Sequence, residues 1–262
     1  MSTLEGVITM SMDKFDAIKA VIFDLGETLI TYTIDYTERE KIISKQVRNL
    51  FSRVGYPISE KFYYKLKTEM WRNWKEKFGG SETEFEINDF LYHLLLNLGV
   101  KAEDAVKFVP LITEIIYKCD LTYAVLKPSV KDTLKKLQSM LYLMGIISNT
   151  SYSYDHICHI LKRLEIIDYF NVVIVSSKEK VCKPNPKIFK RALQLLGISA
   201  NEAVFIGNDL EVDIKGAEKA GIRGILIIDA KQKIDRIKIG SKGMIVVRNM
   251  AEILKYLKKV KN

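Results

Sequence analysis

The chain has 262 residues, 48% of them hydrophobic, enough to bury a sizeable core as one domain or as one domain carrying an insert. Its 41 basic and 32 acidic side chains leave a net charge of +9, but the lysines are scattered along helices with no aromatic-interleaved stripe, which argues against nucleic acid as a partner. No apolar run approaches a bilayer span, no basic-then-apolar leader opens the chain, and three scattered cysteines (Cys119, Cys158, Cys182) suit a reducing interior; the expectation is a cytoplasmic protein with no membrane contact. Oligomeric state has no signal in the sequence.

Residues 1–13 are expected to form a loosely attached leader. The apolar run 20–23 then predicts a strand that delivers Asp24. From 33 to 126 only helical patterns follow, over 37–53, 59–78, 84–98 and 102–119. Ser81 with Glu84 suits a capping box, Gly99 a helix stop, and Tyr63, Tyr64, Trp71, Trp74, Phe78 and Phe85 a local core. Tyr63, Lys67, Arg72 and Tyr92 are candidates for facing a ligand, with a solvated helix face as the plainer fate of each. Further apolar runs at 143–147, 172–175, 204–206 and 224–228 each end on a small or polar residue. Helical patterns at 130–140, 154–164, 187–196 and 213–220 separate them. An edge strand at 244–247 and a helix capped by Asn249 and Glu252 close the chain.

Near-continuous Val/Ile/Leu runs mark strands covered on both faces, and their alternation with helices predicts right-handed βαβ units. The expected fold is α/β: a doubly wound parallel-sheet core (14–32 and 127–262) with an inserted α-helical cap (33–126). In such sheets ligands gather beyond the carboxyl ends of the strands. Asp24 lies there, followed by a tight loop, Leu25–Gly26–Glu27–Thr28, with backbone N–H groups available to an anion. Ser148 and Asn149 follow the second run, and Asn208, Asp209, Glu211 and Asp213 the fourth. Lys183 sits in a proline-stiffened loop, Cys182-Lys183-Pro184-Asn185-Pro186. A carboxylate nucleophile, a hydroxyl/amide pair, a lysine and a carboxylate cluster together suit phosphoryl transfer, with Mg²⁺ held by hard oxygens. Singly, each is more often turn or cap chemistry; their shared location gives them weight. His156 and His159, lacking a third ligand, are expected on a plain helix surface.

At this point the chain resembles the haloacid dehalogenase-like superfamily. The resemblance rests on Ile22-Phe23-Asp24-Leu25-Gly26-Glu27-Thr28-Leu29, Gly145-Ile146-Ile147-Ser148-Asn149, Lys183-Pro184-Asn185-Pro186-Lys187-Ile188-Phe189 and Phe205-Ile206-Gly207-Asn208-Asp209-Leu210-Glu211-Val212-Asp213. It implies a helical cap between the first two motifs, and Asp24 as the nucleophile that forms an aspartyl-phosphate. It further implies Ser148 and Lys183 on the phosphoryl group, with Asn149 shaping the site. Mg²⁺ would be held by Asp24, the Gly26 carbonyl and the fourth motif, and Asp213 would stand behind, orienting Lys183.

Two positions depart from the family's usual pattern. Where phosphatases of the family carry a second Asp that protonates the leaving oxygen, this chain has Gly26. Loss of a general acid costs ~10²–10⁴ in rate, which implies slow turnover or an acidic leaving group. Glu27 either substitutes or is simply solvated. Gly207-Asn208-Asp209 stands where Gly-Asp is common, leaving the metal to Asn208 or Asp209. Three functions follow in order: a phosphatase of a small phosphorylated metabolite, a 2-haloacid dehalogenase, and a catalytically weak module that binds a ligand or partner.

Overall fold

A computed structural model of the chain describes residues 17–53, 83–228, 245–258 and 260, and within 54–82 only 55, 56, 59, 61, 64, 68–70 and 72. In chain order its elements are β1 (Ala20–Phe23), β2 (Ile30–Tyr32), α1 (Tyr36–Arg53), α2 (Ile87–Asn97), α3 (Ala102–Tyr123), β3 (Ala124–Leu126), α4 (Val130–Ser139), β4 (Leu143–Ser148), α5 (Tyr154–Arg163), β5 (Val172–Val175), α6 (Ser176–Glu179), α7 (Pro186–Leu196), β6 (Ala203–Gly207), α8 (Lys215–Lys219), β7 (Arg223–Ile227) and β8 (Ile245–Val247).

The unbroken apolar run of β1 lies inside a six-stranded sheet, order β5-β4-β1-β6-β7-β8, in which every pair is parallel. Its side chains alternate between two cores, as strand geometry requires. Val21 and Phe23 pack with Leu134 and Leu137 of α4 and Ile157 and Leu161 of α5. Ala20 and Ile22 face the other way, against Ile188, Phe189 and Ala192 of α7. This is the doubly wound α/β arrangement that the sequence predicts. The order also puts the carboxyl ends of β4, β1 and β6 side by side.

Between β2 and β3 the chain builds a separate apolar cluster, with Ile43, Val47 and Phe51 of α1, Phe90 and Leu94 of α2, and Ile112 of α3. Phe85 joins it, whereas Tyr64 is 40% exposed and does not, and Tyr92 packs against its edge. Arg72 is exposed. The leader, the predicted helix 59–78 as a whole, Tyr63, Lys67, Trp71, Trp74, Phe78, Ser81 and Met244 lie outside the described residues.

Three expectations about local structure need correction. The stretch 33–126 is not helical throughout: β3 pairs antiparallel with β2, Thr31 opposite Val125, tying together the two connections of the helical unit. Three residues are too few to show a period. Helix α2 starts at Ile87, not at 84, because Glu84 is buried and its Oε2 accepts a hydrogen bond from the Ser176 hydroxyl at 3.0 Å. Gly99, at φ +82°, does end that helix in the left-handed conformation that favours glycine. The pattern at 213–220 begins earlier, as a π-helical turn over Leu210–Ile214 that leads into α8. The helix expected at the end of the chain is present as a 3₁₀ helix, Met250–Tyr256, and Asn249 Oδ1 caps it by accepting from the Glu252 N–H at 3.2 Å.

Candidate active site

Adjacent strand ends bring the motif residues together around a cavity of about 300 Å³ lined by Asp24, Gly26, Ser148, Asn149, Lys183, Asn208, Asp209 and Asp213. Asp24, Lys183 and Asp213 are only 7%, 3% and 2% exposed. Lys183 Nζ donates to Asp24 Oδ1 at 2.6 Å and to Asp213 Oδ1 at 2.7 Å. Burial opposes the ammonium charge, but the two carboxylates outweigh it and hold the lysine above its ordinary range. Asp213 is pushed upward by its own burial, against the pull of Lys183.

Each of these side chains is positioned by backbone. The Asn149 side chain clasps the main chain of Lys183: Nδ2 donates to its carbonyl and Oδ1 accepts from its N–H, both at 2.8 Å. Asn149 thus shapes the site by fixing the lysine loop to the end of β4. The Ser148 hydroxyl borders the cavity with no hydrogen-bond partner among the described residues. Asp213 folds back beneath β6, its Oδ2 accepting from the N–H groups of Asn208 (3.1 Å) and Asp209 (3.0 Å).

That fold-back needs Gly207, where an added Cβ would sit 2.4 Å from Asp213 Oδ2. Gly207→Ala is therefore expected to displace Asp213 and with it Lys183. A misplacement of about 1 Å costs on the order of 10² in rate. Steady-state kinetics beside a circular dichroism spectrum would test this, and unchanged kcat/KM would refute the account.

Asn208 and Asp209 part company here. The Asn208 amide approaches Thr28 Oγ1 at 3.2 Å, Asp24 Oδ2 at 3.3 Å and the Gly26 carbonyl oxygen at 3.3 Å. With its nitrogen inward it donates to all three. With its oxygen inward it accepts from the Thr28 hydroxyl and joins two further acceptors, an all-oxygen set suited to a hard cation. Asp209 Oδ1 is instead taken by the N–H groups of Glu211 and Val212, at 2.8 and 2.9 Å, as the cap of the π-helical turn.

Glu27, at φ +56°, turns its carboxylate toward the strand pair: Oε1 accepts from the Thr31 hydroxyl at 2.9 Å. Lys127 Nζ donates to its carbonyl oxygen at 2.9 Å. It lines an adjoining cavity of about 580 Å³ rather than the one around Asp24.

The haloacid dehalogenase-like hydrolase family model matches residues 18–221, which include every one of these side chains. The chain belongs to this family. Among relatives, the hydrolase is 30% identical over 210 residues to the glyceraldehyde 3-phosphate phosphatase of Pyrococcus abyssi, covering 79% of this chain and 80% of that one. It is 28% identical to the ribulose-1,5-bisphosphate 5-phosphatase of Halopiger xanaduensis, covering 83% and 90%. A solved 2-haloacid dehalogenase from Pseudomonas syringae pv. tomato superposes with a TM-score of 0.69 at 21% identity, covering 91% and 97%, which shows the shared fold.

Sequence reasoning missed a second group in this hydrolase. His156 is not a surface residue: it is buried, stacks on Tyr117 with ring centroids 3.5 Å apart, and its Nε2 lies 3.2 Å from Asp120 Oδ2. His159 is exposed, as expected. Asp120 also accepts from Arg39 Nε at 2.7 Å, and Arg39 Nη2 donates to the Tyr152 hydroxyl at 2.5 Å. The available signal was spacing, since Tyr152 follows Ser148 by four residues, but its partners come from distant helices. Among the described residues no helix is long and apolar enough to cross a membrane.

Proposed function

We propose that this hydrolase is a Mg²⁺-dependent phosphatase of a small phosphorylated metabolite, working through an aspartyl-phosphate on Asp24. The observation that carries the reading is Lys183 held between Asp24 and Asp213, beside the Ser148 hydroxyl, in one small cavity. Such a pairing holds the Asp24 carboxylate in place as a nucleophile and sets a positive charge where phosphoryl oxygens would lie. The Ser148 hydroxyl would donate to the same oxygens. Asp24 Oδ2, the Gly26 carbonyl and the Asn208 amide oxygen would hold Mg²⁺, with Asp213 orienting Lys183 from behind. The bound ion would offset the repulsion between a carboxylate and a phosphate dianion. The helical unit 33–126 would serve as a cap domain over the core. Phosphatase relatives near 30% identity support the reaction class and make triose and other short sugar phosphates the first substrates to try.

The test is phosphate release from a panel of phosphorylated metabolites, with Mg²⁺ and with EDTA. Release that EDTA abolishes is the expected result; silence across the panel would leave a ligand-binding module. Gly26 favours one competing reading, a 2-haloacid dehalogenase, and halide release from a short halogenated acid in EDTA would decide for it.

Open space surrounds the point where a Cβ on Gly26 would lie, so the side chain that phosphatases of this family carry there can be restored. Gly26→Asp is expected to raise kcat on alkyl phosphates by roughly 10- to 100-fold, the lower part of what a general acid contributes. A rate unchanged or lowered would show that protonation of the leaving group does not limit this enzyme.

A further inference from the structure

We infer that the Tyr152 hydroxyl donates a hydrogen bond to the leaving-group oxygen of the substrate, in a role that glycine at position 26 cannot fill. The inference rests on the phosphatase reading. The cavity around Asp24 and the larger one beside it share two walls, Tyr32 and Tyr152. In-line displacement puts the leaving oxygen opposite the nucleophile. A phosphoryl group seated at Asp24 occupies part of the smaller space, and the shared walls make this aromatic pair the passage by which the rest of the ester reaches the larger one, toward Thr31 and Arg39.

The hydroxyl is prepared for that contact. Arg39 Nη2 donates to Tyr152 Oη, which uses an oxygen lone pair and directs the phenol's own proton elsewhere. Among the described residues nothing accepts that proton. Arg39 is in turn held by Asp120, through Nε at 2.7 Å and Nη2 at 2.5 Å, and Asp120 by its approach to His156. A donor fixed by buried partners needs no reorganisation as negative charge grows on the leaving oxygen. Burial, with Asp120 adding to it, raises the phenol well above its usual range despite Arg39, so Tyr152 stays a donor through neutral pH. The proton stays on the tyrosine. The Asp24–phosphorus bond forms, the bond to the ester oxygen breaks, and that oxygen keeps the electron pair and takes a proton from water. Hydrolysis of the aspartyl-phosphate then consumes the hydroxide equivalent.

The experiment compares wild type with Tyr152→Phe, in Mg²⁺, on the fastest alkyl phosphate of the panel and on p-nitrophenyl phosphate, whose leaving group is stable unprotonated. Loss of one hydrogen bond to a charged atom predicts a fall of roughly 10- to 100-fold in kcat/KM on the alkyl ester. On the aryl ester, which needs no such help, the fall should stay under about threefold. An equal fall on both would assign Tyr152 a structural role, and no fall on either would leave it none; each overturns the inference. A wild type inactive on both esters is the separate failure of the phosphatase reading, and removes the inference with it.

Discussion

Asp24→Asn is expected to lower phosphate release by about 10⁴-fold or more, because an amide cannot take over the attack on phosphorus and the other carboxylates lining the cavity, Asp209 and Asp213, are hydrogen-bonded elsewhere. Asp213, the nearest substitute, has both oxygens in use: Oδ1 on Lys183, and Oδ2 on two backbone N–H groups beneath β6. The fold should survive. Lys183 keeps Asp213 at 2.7 Å, so the buried ammonium is not left unpaired. The variant should therefore unfold in urea near the wild-type midpoint while turning over almost nothing. Retention of more than about 1% of the wild-type rate would rule out Asp24 as the nucleophile.

Asp120→Asn should act in the opposite way, on stability first. The Asp120 carboxylate is 0% exposed and the Arg39 side chain 12%, and the two meet at 2.5 Å. Removing one charge of a buried pair leaves the other uncompensated, at a cost of about 3–5 kcal/mol. Glu40, 3.3 Å from Arg39 Nη1, offsets part of this and places the expectation at the lower end. Urea unfolding measures it directly, and a loss below about 1 kcal/mol would mean that the pair contributes little. Replacing both partners, Arg39→Met with Asp120→Leu, should recover only part of the stability: an apolar pair of similar size avoids the desolvation penalty, but the buried His156 Nε2 loses its carboxylate. It should not recover activity, because Tyr152 would lose the group that fixes its hydroxyl.

The candidate site was legible where chemistry follows a strand directly. Asp24, Ser148 and Gly207 stand at the ends of apolar runs, and a parallel sheet delivers such residues to one edge. Lys183 was legible through its motif. Which of Asn208 and Asp209 lies against Asp24 was not, because neighbours in sequence are equivalent until the backbone turns: Asp209 Oδ1 caps Glu211 and Val212, and the Asn208 amide lies beside Asp24. Glu27 was open for the same reason. Its left-handed φ directs the carboxylate to Thr31, a choice made by the loop and not by residue type.

Local residue pattern was enough to set the α/β architecture, the strands at 20–23 and 172–175 to the residue, and the order of the motifs. Apolar runs without alternation require burial on both faces, and that requirement is local and strong. Tertiary structure alone decided the pairing of β2 with β3, the burial of His156, and the chain of contacts from Asp120 through Arg39 to Tyr152. Arg39 and Asp120 are 81 residues apart, and Asp120 and His156 a further 36. Each is an ordinary polar residue on an ordinary helix until packing removes water from around it. A buried charge must then find a partner, and the identity of that partner depends on which helix surfaces meet, which no local pattern specifies.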